Sequence, residues 1–375
     1  MSTAEAAAPE KETYAQRVLD NVRGGNLGSW PVLIGLTLIV IFFSFKADNF
    51  LSPGNFSNII TQMAGVTMLA YGVVFVLLIG EIDLSISYIS GIAGVVVAQM
   101  TLPESGHQIP GLVAILLAIA VCAAIGAFQG SFVAFIGVPA FVVTLAGYQI
   151  WQGVIQKSIE DKGVIVIQDT TVNNVANYFF SDKAGWIIAA IVSVVYVASV
   201  LNGVLARRRA GVPVRDPLFV VVKLVGVVAL AALTVIVCNK DRGVPFVLLL
   251  MIAMLLVLTF LAKRTTFGRH VYAVGGNAEA ARRAGINVAR VRIIVFMISG
   301  AMAGLGGVVL AARLNSVDLN AGGGTLLIDA IAAAVIGGTS LFGGRGEVRD
   351  ALFGALVIAT IANGLNTLNL TQGGI

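Results

Sequence analysis

The chain has 375 residues, of which 58% are hydrophobic and 11% are charged, and its formal net charge is +5. Soluble domains carry about 25% charged residues, so this composition excludes a soluble globular protein and indicates an integral membrane protein. The long uninterrupted apolar runs predict helices rather than the alternating strands of a barrel. The cations are distributed by membrane side instead of forming one basic face, which argues against nucleic-acid binding.

The apolar runs predict eleven membrane-spanning helices, because a span needs roughly 20 apolar residues. The predicted fold is therefore all-α, a polytopic transmembrane helical bundle. The predicted spans are 30–47, 56–80, 84–101, 109–128, 130–154, 184–205, 217–238, 244–262, 293–313, 325–342 and 351–370. Residues 1–29 form a predicted cytoplasmic tail, and residues 30–375 form the predicted transmembrane domain.

The distribution of positive charge predicts the orientation. Of the 24 Lys and Arg residues, sixteen lie in the segments 1–29, 206–216, 263–292 and 343–350, and seven lie on the opposite side. Because cytoplasmic loops carry an excess of Lys and Arg, these four segments are predicted to be cytoplasmic. The odd number of spans then leaves the carboxyl terminus on the outer side.

The first polar candidate site follows the second span, where the sequence LLIGEIDLSIS places Glu81 and Asp83 between apolar runs. Carboxylates at such a place are costly in lipid and usually face protein or a water-filled path. Asp83 could line a translocation path together with Ser85. Alternatively, Asp83 caps the next helix at the cytoplasmic surface.

Later spans contain three more polar candidates for the path. Thr144 and Gln149 could offer hydrogen bonds to a polar solute, although a belt of interfacial aromatic residues explains the same stretch. Asp329 lies one turn inside its span, where it could point into a cavity or reach the interface. The pairs Gly126 with Gly130 and Gly300 with Gly304 have the spacing of closely packed helices.

The loop 263–292 is the most charged segment, with seven Lys or Arg residues and one acid, Glu279. We predict a short surface helix from Asn277 to Ile286: Asn277 caps it, Glu279 lies in its first turn and Gly285 ends it. Small residues on this helix, Ala280, Ala281 and Ala284, would allow it to dock into a groove of another protein. The alternative is an ordinary charged loop that only anchors topology.

Motifs of enzymes and metal sites are missing. The sequence has no GxxxxGK[ST] phosphate loop, and no lysine follows the glycines of GGTSLFGGRG, Gly337 to Gly346. With only two histidines and two cysteines in separate apolar runs, neither a catalytic residue nor a metal ligand is predicted. The sequence therefore predicts a protein that is not an enzyme and holds no cofactor.

Several motifs together resemble a known family. EAARRAGI, residues 279–286, resembles the EAA-x-x-x-G signature in the cytoplasmic loop of binding-protein-dependent ABC importer permeases. With GEIDLSIS, VTLAGYQIWQGV, DAIAAAVIGGTSLFGGRG and NGLN, the stretch from Phe50 to Asn366 is similar to the permeases for ribose, galactose, arabinose and xylose. GEIDLS and the extra pair of spans between 184 and 238 look most like the xylose branch.

The resemblance implies an inner-membrane permease homodimer, in contact with membrane lipid, that moves a neutral monosaccharide, a pentose such as xylose, into the cytoplasm. It also implies a separate ATPase subunit that binds the ATP and a periplasmic sugar-binding protein. The implied ATPase-coupling residues are Gly276, Asn277, Glu279, Ala280, Ala281, Arg282, Arg283 and Gly285, and the glycine-rich cytoplasmic turn contains Gly337, Gly338, Thr339, Gly343 and Gly344. Family members usually continue past NGLN through a further span, so a twelfth span is expected to be missing here.

Two other functions remain compatible with the residues. An ion-coupled secondary transporter of a small polar solute would need membrane-embedded carboxylates, for which Asp83 and Asp329 are the candidates. A purely structural membrane scaffold would show no solute flux and no ATPase partner.

Overall fold

The computed structural model describes residues 30–103, 108–211 and 217–368. The predicted tail 1–29, part of the predicted loop 206–216 and the end of the last predicted span lie outside the described residues. The helices are α1 Trp30–Lys46, α2 Pro53–Leu78, α3 Ile86–Met100, α4 Gly111–Ser131, α5 Ala140–Ile159, α6 Thr170–Asn177, α7 Asp182–Arg209, α8 Pro217–Asn239, α9 Phe246–Arg264, α10 Thr266–Gly276, α11 Ala278–Arg283, α12 Val288–Leu314, α13 Leu326–Ile336 and α14 Val348–Thr367.

The prediction of an all-α polytopic membrane protein is confirmed. Each of the eleven predicted spans overlaps mainly one α-helix, and seven helices in the described part of the chain are long and apolar enough to cross a membrane. These seven are α2, α4 with its extension to Ile136, α7, α8, α9, α12 and α14. Three further apolar helices, α1, α3 and α13, are shorter.

Two predicted spans have different bounds in the structure. The span predicted at 130–154 begins only at Ala140, because a π-helical turn, Phe132–Ile136, extends α4. Gly137 then adopts a left-handed backbone with φ 78°, and Pro139 directly precedes α5. The span predicted at 325–342 ends at Ile336, since the glycine-rich segment that follows does not continue the helix.

The helix α12 lies at the centre of the bundle and packs against α2, α3 and α4, in part through glycines. A methyl group added at Gly126 would overlap the carbonyl oxygen of Phe296, and one added at Gly300 would overlap that of Cys122. The two predicted small-residue pairs therefore lie opposite each other across the α4 and α12 contact, where glycine lets the backbones approach.

The helices α7 and α8 lie at the periphery. Only 6% of the residues in the most apolar stretch of each helix are buried, against 83% for α2. A helix that is apolar on all sides and exposed in the isolated chain is suited to contact lipid. These two helices are the extra pair that the sequence placed between residues 184 and 238.

Two short sheets lie at the ends of helices on the side predicted to face outward. β1, Val164–Val166, pairs antiparallel with β4, Ser316–Asp318. β2, Phe179–Phe180, pairs antiparallel with β3, Val244–Pro245. These pairings tie the connections before α6 and α7 to the ends of α8 and α12.

Candidate functional site

The predicted cytoplasmic loop between α9 and α12 is an ordered pair of short helices. Thr265 starts α10 by accepting a hydrogen bond on Oγ1 from the N–H three residues on, at 3.1 Å. Asn277 starts α11 and Asn287 starts α12 in the same way, each accepting on Oδ1 at 2.9 Å. These side chains satisfy backbone donors that helix ends leave free, so three caps define the course of the loop.

The helix α11 presents charge to the solvent. Glu279 Oε2 lies 3.3 Å from Arg282 Nη1, and Glu279 Oε1 lies 3.2 Å from Arg283 Nε. All three side chains are more than half exposed. Because exposed pairs of this kind contribute only about 0.3–0.5 kcal/mol each, they orient the side chains more than they stabilise the fold.

The remaining predicted coupling residues lie on α11 or next to its ends, and they differ in burial. Ala281 is buried against the rest of the protein, whereas Gly276, Asn277, Ala280 and Gly285 are exposed. The helix ends at Arg283 and is shorter than the predicted Asn277 to Ile286, since Gly285 has φ 85° and reverses the chain. The exposed small residues leave room for a partner's side chains.

An open cleft of about 320 Å³ lies beside α11. The side chains of Arg282 and Arg292 line it together with the start of α12 and Ala134 at the end of α4. Its lining contains no acidic residue. Both arginines already pair with acids of this chain, Arg282 with Glu279 and Arg292 with Glu81.

The helix α10 was not predicted from the sequence. It buries Val271 and Val274 in the protein, and the Tyr272 hydroxyl donates a hydrogen bond to the carbonyl oxygen of Gly346 at 2.8 Å. Burial raises the pKa of Tyr272, and the nearby acids Glu347 and Asp350 raise it further, so the hydroxyl keeps its proton. The apolar spacing of three residues was the available signal.

The glycine-rich turn contacts the ends of α2 and α10 through backbone atoms. Gly344 N donates a hydrogen bond to the carbonyl oxygen of Leu78 at 2.9 Å, and Gly343 faces the carbonyl oxygen of Gly275. Gly343 and Gly344 have φ 84° and 71°, which side-chain-bearing residues rarely adopt. The other residues predicted for this turn continue it: Gly337 packs against the backbone of α14, Gly338 has φ 113° and Thr339 is buried.

The turn between α2 and α3 is held to the start of α12 by an ion pair. Glu81 Oε1 lies 3.0 Å from Arg292 Nη2, and both side chains are at least three-quarters buried. Burial raises the pKa of Glu81, while the charge of Arg292 and its hydrogen bond act in the opposite direction. The pair thus ties the turn to the first turns of α12, the helix that follows α11 in the chain.

Asp83 lies two residues further along and is almost fully buried. Its Oδ1 accepts hydrogen bonds from Ser85 N at 3.0 Å and from Ser85 Oγ at 2.6 Å. Its Oδ2 accepts one from Ser299 Oγ, on α12, at 3.0 Å. The carboxylate therefore organises the turn before α3, and it also bonds a helix that is 216 residues away in sequence.

Gln129 completes this buried cluster. Ser85 Oγ lies 2.8 Å from the Gln129 side-chain amide, and Gln129 is also buried. The Ser85 hydroxyl faces two acceptors, Asp83 Oδ1 at 2.6 Å and Gln129 Oε1 at 2.8 Å, and its one proton serves one of them at a time. The four side chains of Asp83, Ser85, Gln129 and Ser299 are called the Asp83 cluster below.

The structure places the other predicted path residues in three different environments. Thr144 is buried beside the Asp83 turn, where its hydroxyl donates to the carbonyl oxygen of Ala140 at 2.9 Å and lies 3.3 Å from that of Ile82. Gln149 is exposed on α5. Asp329 lies in the first turn of α13, at the end remote from the glycine-rich turn, and accepts a hydrogen bond from Thr325.

Sequence reasoning missed Gln129 and Ser299. Each interrupts an apolar run next to a glycine that was identified only for packing, Gly130 and Gly300. A polar residue inside a span is expensive in lipid and was the signal that could have identified both. Within the described ranges, no group of three His, Cys, Asp or Glu side chains lies close enough to hold a metal ion.

Comparison with known proteins gives one family. A family model described as "Branched-chain amino acid transport system / permease component" matches residues 55–372. No solved structure matches the chain.

Curated relatives cover nearly the whole chain. The chain is 36% identical to the Xylose transport system permease protein XylH of Haemophilus influenzae, over 92% of this chain and 91% of that protein. It is 33% identical to the Ribose import permease protein RbsC of Escherichia coli, over 91% and 86%. It is 32% identical to the D-allose transport system permease protein AlsC of Escherichia coli, over 89% and 82%.

Proposed function

The chain belongs to the ABC-transport permease family that this model describes, and we propose that it imports a neutral monosaccharide, with D-xylose as the first candidate. It is a multi-pass protein of the bacterial inner membrane and a transport component rather than an enzyme. The observation that carries the substrate proposal is the 36% identity to xylose permeases over 92% of the chain.

We further propose that a separate ATPase subunit, which binds the ATP, drives transport through α11. The exposed side of α11 and the arginine-lined cleft beside it support this docking role. A partner can shift a conformational equilibrium only if it binds the two states differently, and a nucleotide cycle in the ATPase supplies that difference. A periplasmic sugar-binding protein would deliver the solute to a permease homodimer in the lipid bilayer.

The family description names amino acids and the relatives name sugars, so the substrate class is the first property to test. We expect a strain that lacks its other xylose carriers to take up D-xylose when it expresses this chain with its ATPase and binding protein. Radiolabelled D-ribose and D-allose test the sugars named for the other relatives, and radiolabelled L-leucine tests an amino acid. Uptake of D-xylose should exceed uptake of L-leucine by about tenfold or more, which corresponds to about 1.4 kcal/mol of discrimination.

Three results would contradict the proposal. Uptake of leucine in preference to all three sugars would give the wrong substrate class. Sugar uptake that persists without the ATPase and collapses with an uncoupler would indicate an ion-coupled transporter. A chain that neither binds an ATPase nor supports any flux would be a scaffold.

A further inference from the structure

The end of α10, the end of α2 and the glycine-rich turn meet through their backbones. A methyl group added at Gly275 would overlap the carbonyl oxygen of Leu78 and would lie 2.7 Å from Gly344 N. Gly344 N in turn donates to the same Leu78 oxygen. With no side chain between them, these three segments cannot shift separately by more than a fraction of an ångström without breaking the contact.

The turn that follows α2 is also fixed to α12 at two points. Glu81 pairs with Arg292, and Asp83 accepts the hydrogen bond of Ser299. Arg292 and Ser299 are seven residues apart, so they lie on the same face of α12, two turns from each other. The turn is therefore attached to one face of α12 by an ion pair and by a hydrogen bond.

The helix α11 lies in the chain between these two attachments. Gly275 precedes α11 by three residues, and Arg292 follows it by nine. Both attachments lead to the same turn, residues 79–85, which carries Asp83 into the bundle. A displacement of α11 that is transmitted along the chain therefore reaches that turn from both sides.

We propose that Gly275 and the Glu81 and Arg292 pair are positioning residues that transmit a displacement of α11 to the Asp83 cluster. The inference rests on the proposed function, because it needs an ATPase that moves α11. The two attachments act together: the glycine contact fixes where the turn lies, and the ion pair fixes how it is oriented on α12.

The test for the glycine contact uses the complete complex of this chain with its ATPase and sugar-binding protein, reconstituted in liposomes. The quantity measured is D-xylose taken up per ATP hydrolysed. Gly275→Ala should lower this ratio about fivefold or more, which is the lower end of measured coupling effects. Gly203→Ala is the matched control, because Gly203 is a helical glycine with no other atom within 4 Å of an added methyl group.

The ion pair is tested by charge reversal in the same assay. Glu81→Arg and Arg292→Glu should each lower the ratio, and the double variant, which restores opposite charges, should recover most of it. A substitution that only reduces the amount of folded complex would lower uptake and ATP hydrolysis together and leave their ratio unchanged.

The outcomes separate the inference from the function on which it rests. A wild-type ratio in Gly275→Ala and in both single charge reversals, with wild-type transport intact, would overturn the inference alone. Failure of the double variant to recover any coupling would overturn the role of the ion pair. Absence of D-xylose-stimulated ATP hydrolysis in the wild-type complex would instead overturn the proposed function.

Discussion

Replacing Glu279 by lysine should abolish sugar-stimulated ATP hydrolysis by the reconstituted complex while leaving membrane insertion intact. Glu279 is the only acid on α11, and its two partners are arginines. The reversal changes the formal charge of this helix from +1 to +3. Because the pairs are exposed, we expect the free energy of unfolding to fall by less than about 1 kcal/mol, so the loss concerns the docking surface.

Two further variants make the Glu279 experiment specific. Glu279→Gln removes the charge without reversing it and should give an intermediate loss. Glu160→Lys reverses another exposed acid that pairs with a basic residue three positions away, on the side predicted to face outward. It should leave ATP hydrolysis unchanged. Normal coupling in Glu279→Lys would rule out the docking role of α11.

Replacing Asp83 by leucine should strongly destabilise the protein. The substitution leaves the Ser85 backbone N–H and the Ser299 hydroxyl without their buried acceptor, whereas the Ser85 hydroxyl keeps Gln129 Oε1. Each buried polar group left without a partner costs about 1–3 kcal/mol. We expect the apparent melting temperature of the purified chain in detergent, followed by size-exclusion chromatography after heating, to drop by more than that of any other variant described here.

Milder substitutions in the Asp83 cluster should destabilise the protein less. Ser299→Ala removes one hydrogen bond of the carboxylate and should cost about 0.5–1.5 kcal/mol. Asp83→Asn keeps the shape and one acceptor oxygen, so the protein should fold and show whether transport needs the negative charge. A leucine variant as stable as the wild type would mean that the Asp83 cluster does not hold the turn.

The sequence was sufficient to predict the order of the long apolar helices, because each span is a long apolar run that needs no partner to be recognised, whereas the short helices α6 and α10 were not predicted. Helix ends were less predictable where several glycines and prolines lie close together, because each of them could end a helix. The start of α5 moved to Ala140 since a π-helical turn used the residues before Gly137. Gly137 and Pro139 signal a helix break, but the apolar run continues on both sides of them, so it does not show how far the preceding helix extends.

The candidate site was only partly predictable for a different reason. Glu81, Asp83 and Ser85 stood out because they interrupt an apolar run, and the structure places them together at one turn. Their partners Arg292, Gln129 and Ser299 come from distant helices, and only the packing of α4 and α12 brings them within reach. Gln149 and Asp329 carry similar chemistry but lie elsewhere, so residue type alone could not separate them from the cluster.

The docking role proposed for α11 requires that this helix lie on the cytoplasmic surface, where an ATPase can reach it. The most direct measurement is the labelling of Arg283→Cys by a membrane-impermeant maleimide, in a chain whose buried Cys122 and Cys238 are replaced by alanine. The Arg283 side chain is 80% exposed, and that of Lys157, on the side predicted to face outward, is 78% exposed, so Lys157→Cys is the matched control.

We expect Arg283→Cys to react in inside-out vesicles but not in intact cells, and we expect bound ATPase to protect it. Lys157→Cys should show the opposite sidedness. Labelling of Arg283→Cys from outside intact cells, or labelling in inside-out vesicles that the ATPase does not reduce, would show that α11 is not the docking surface.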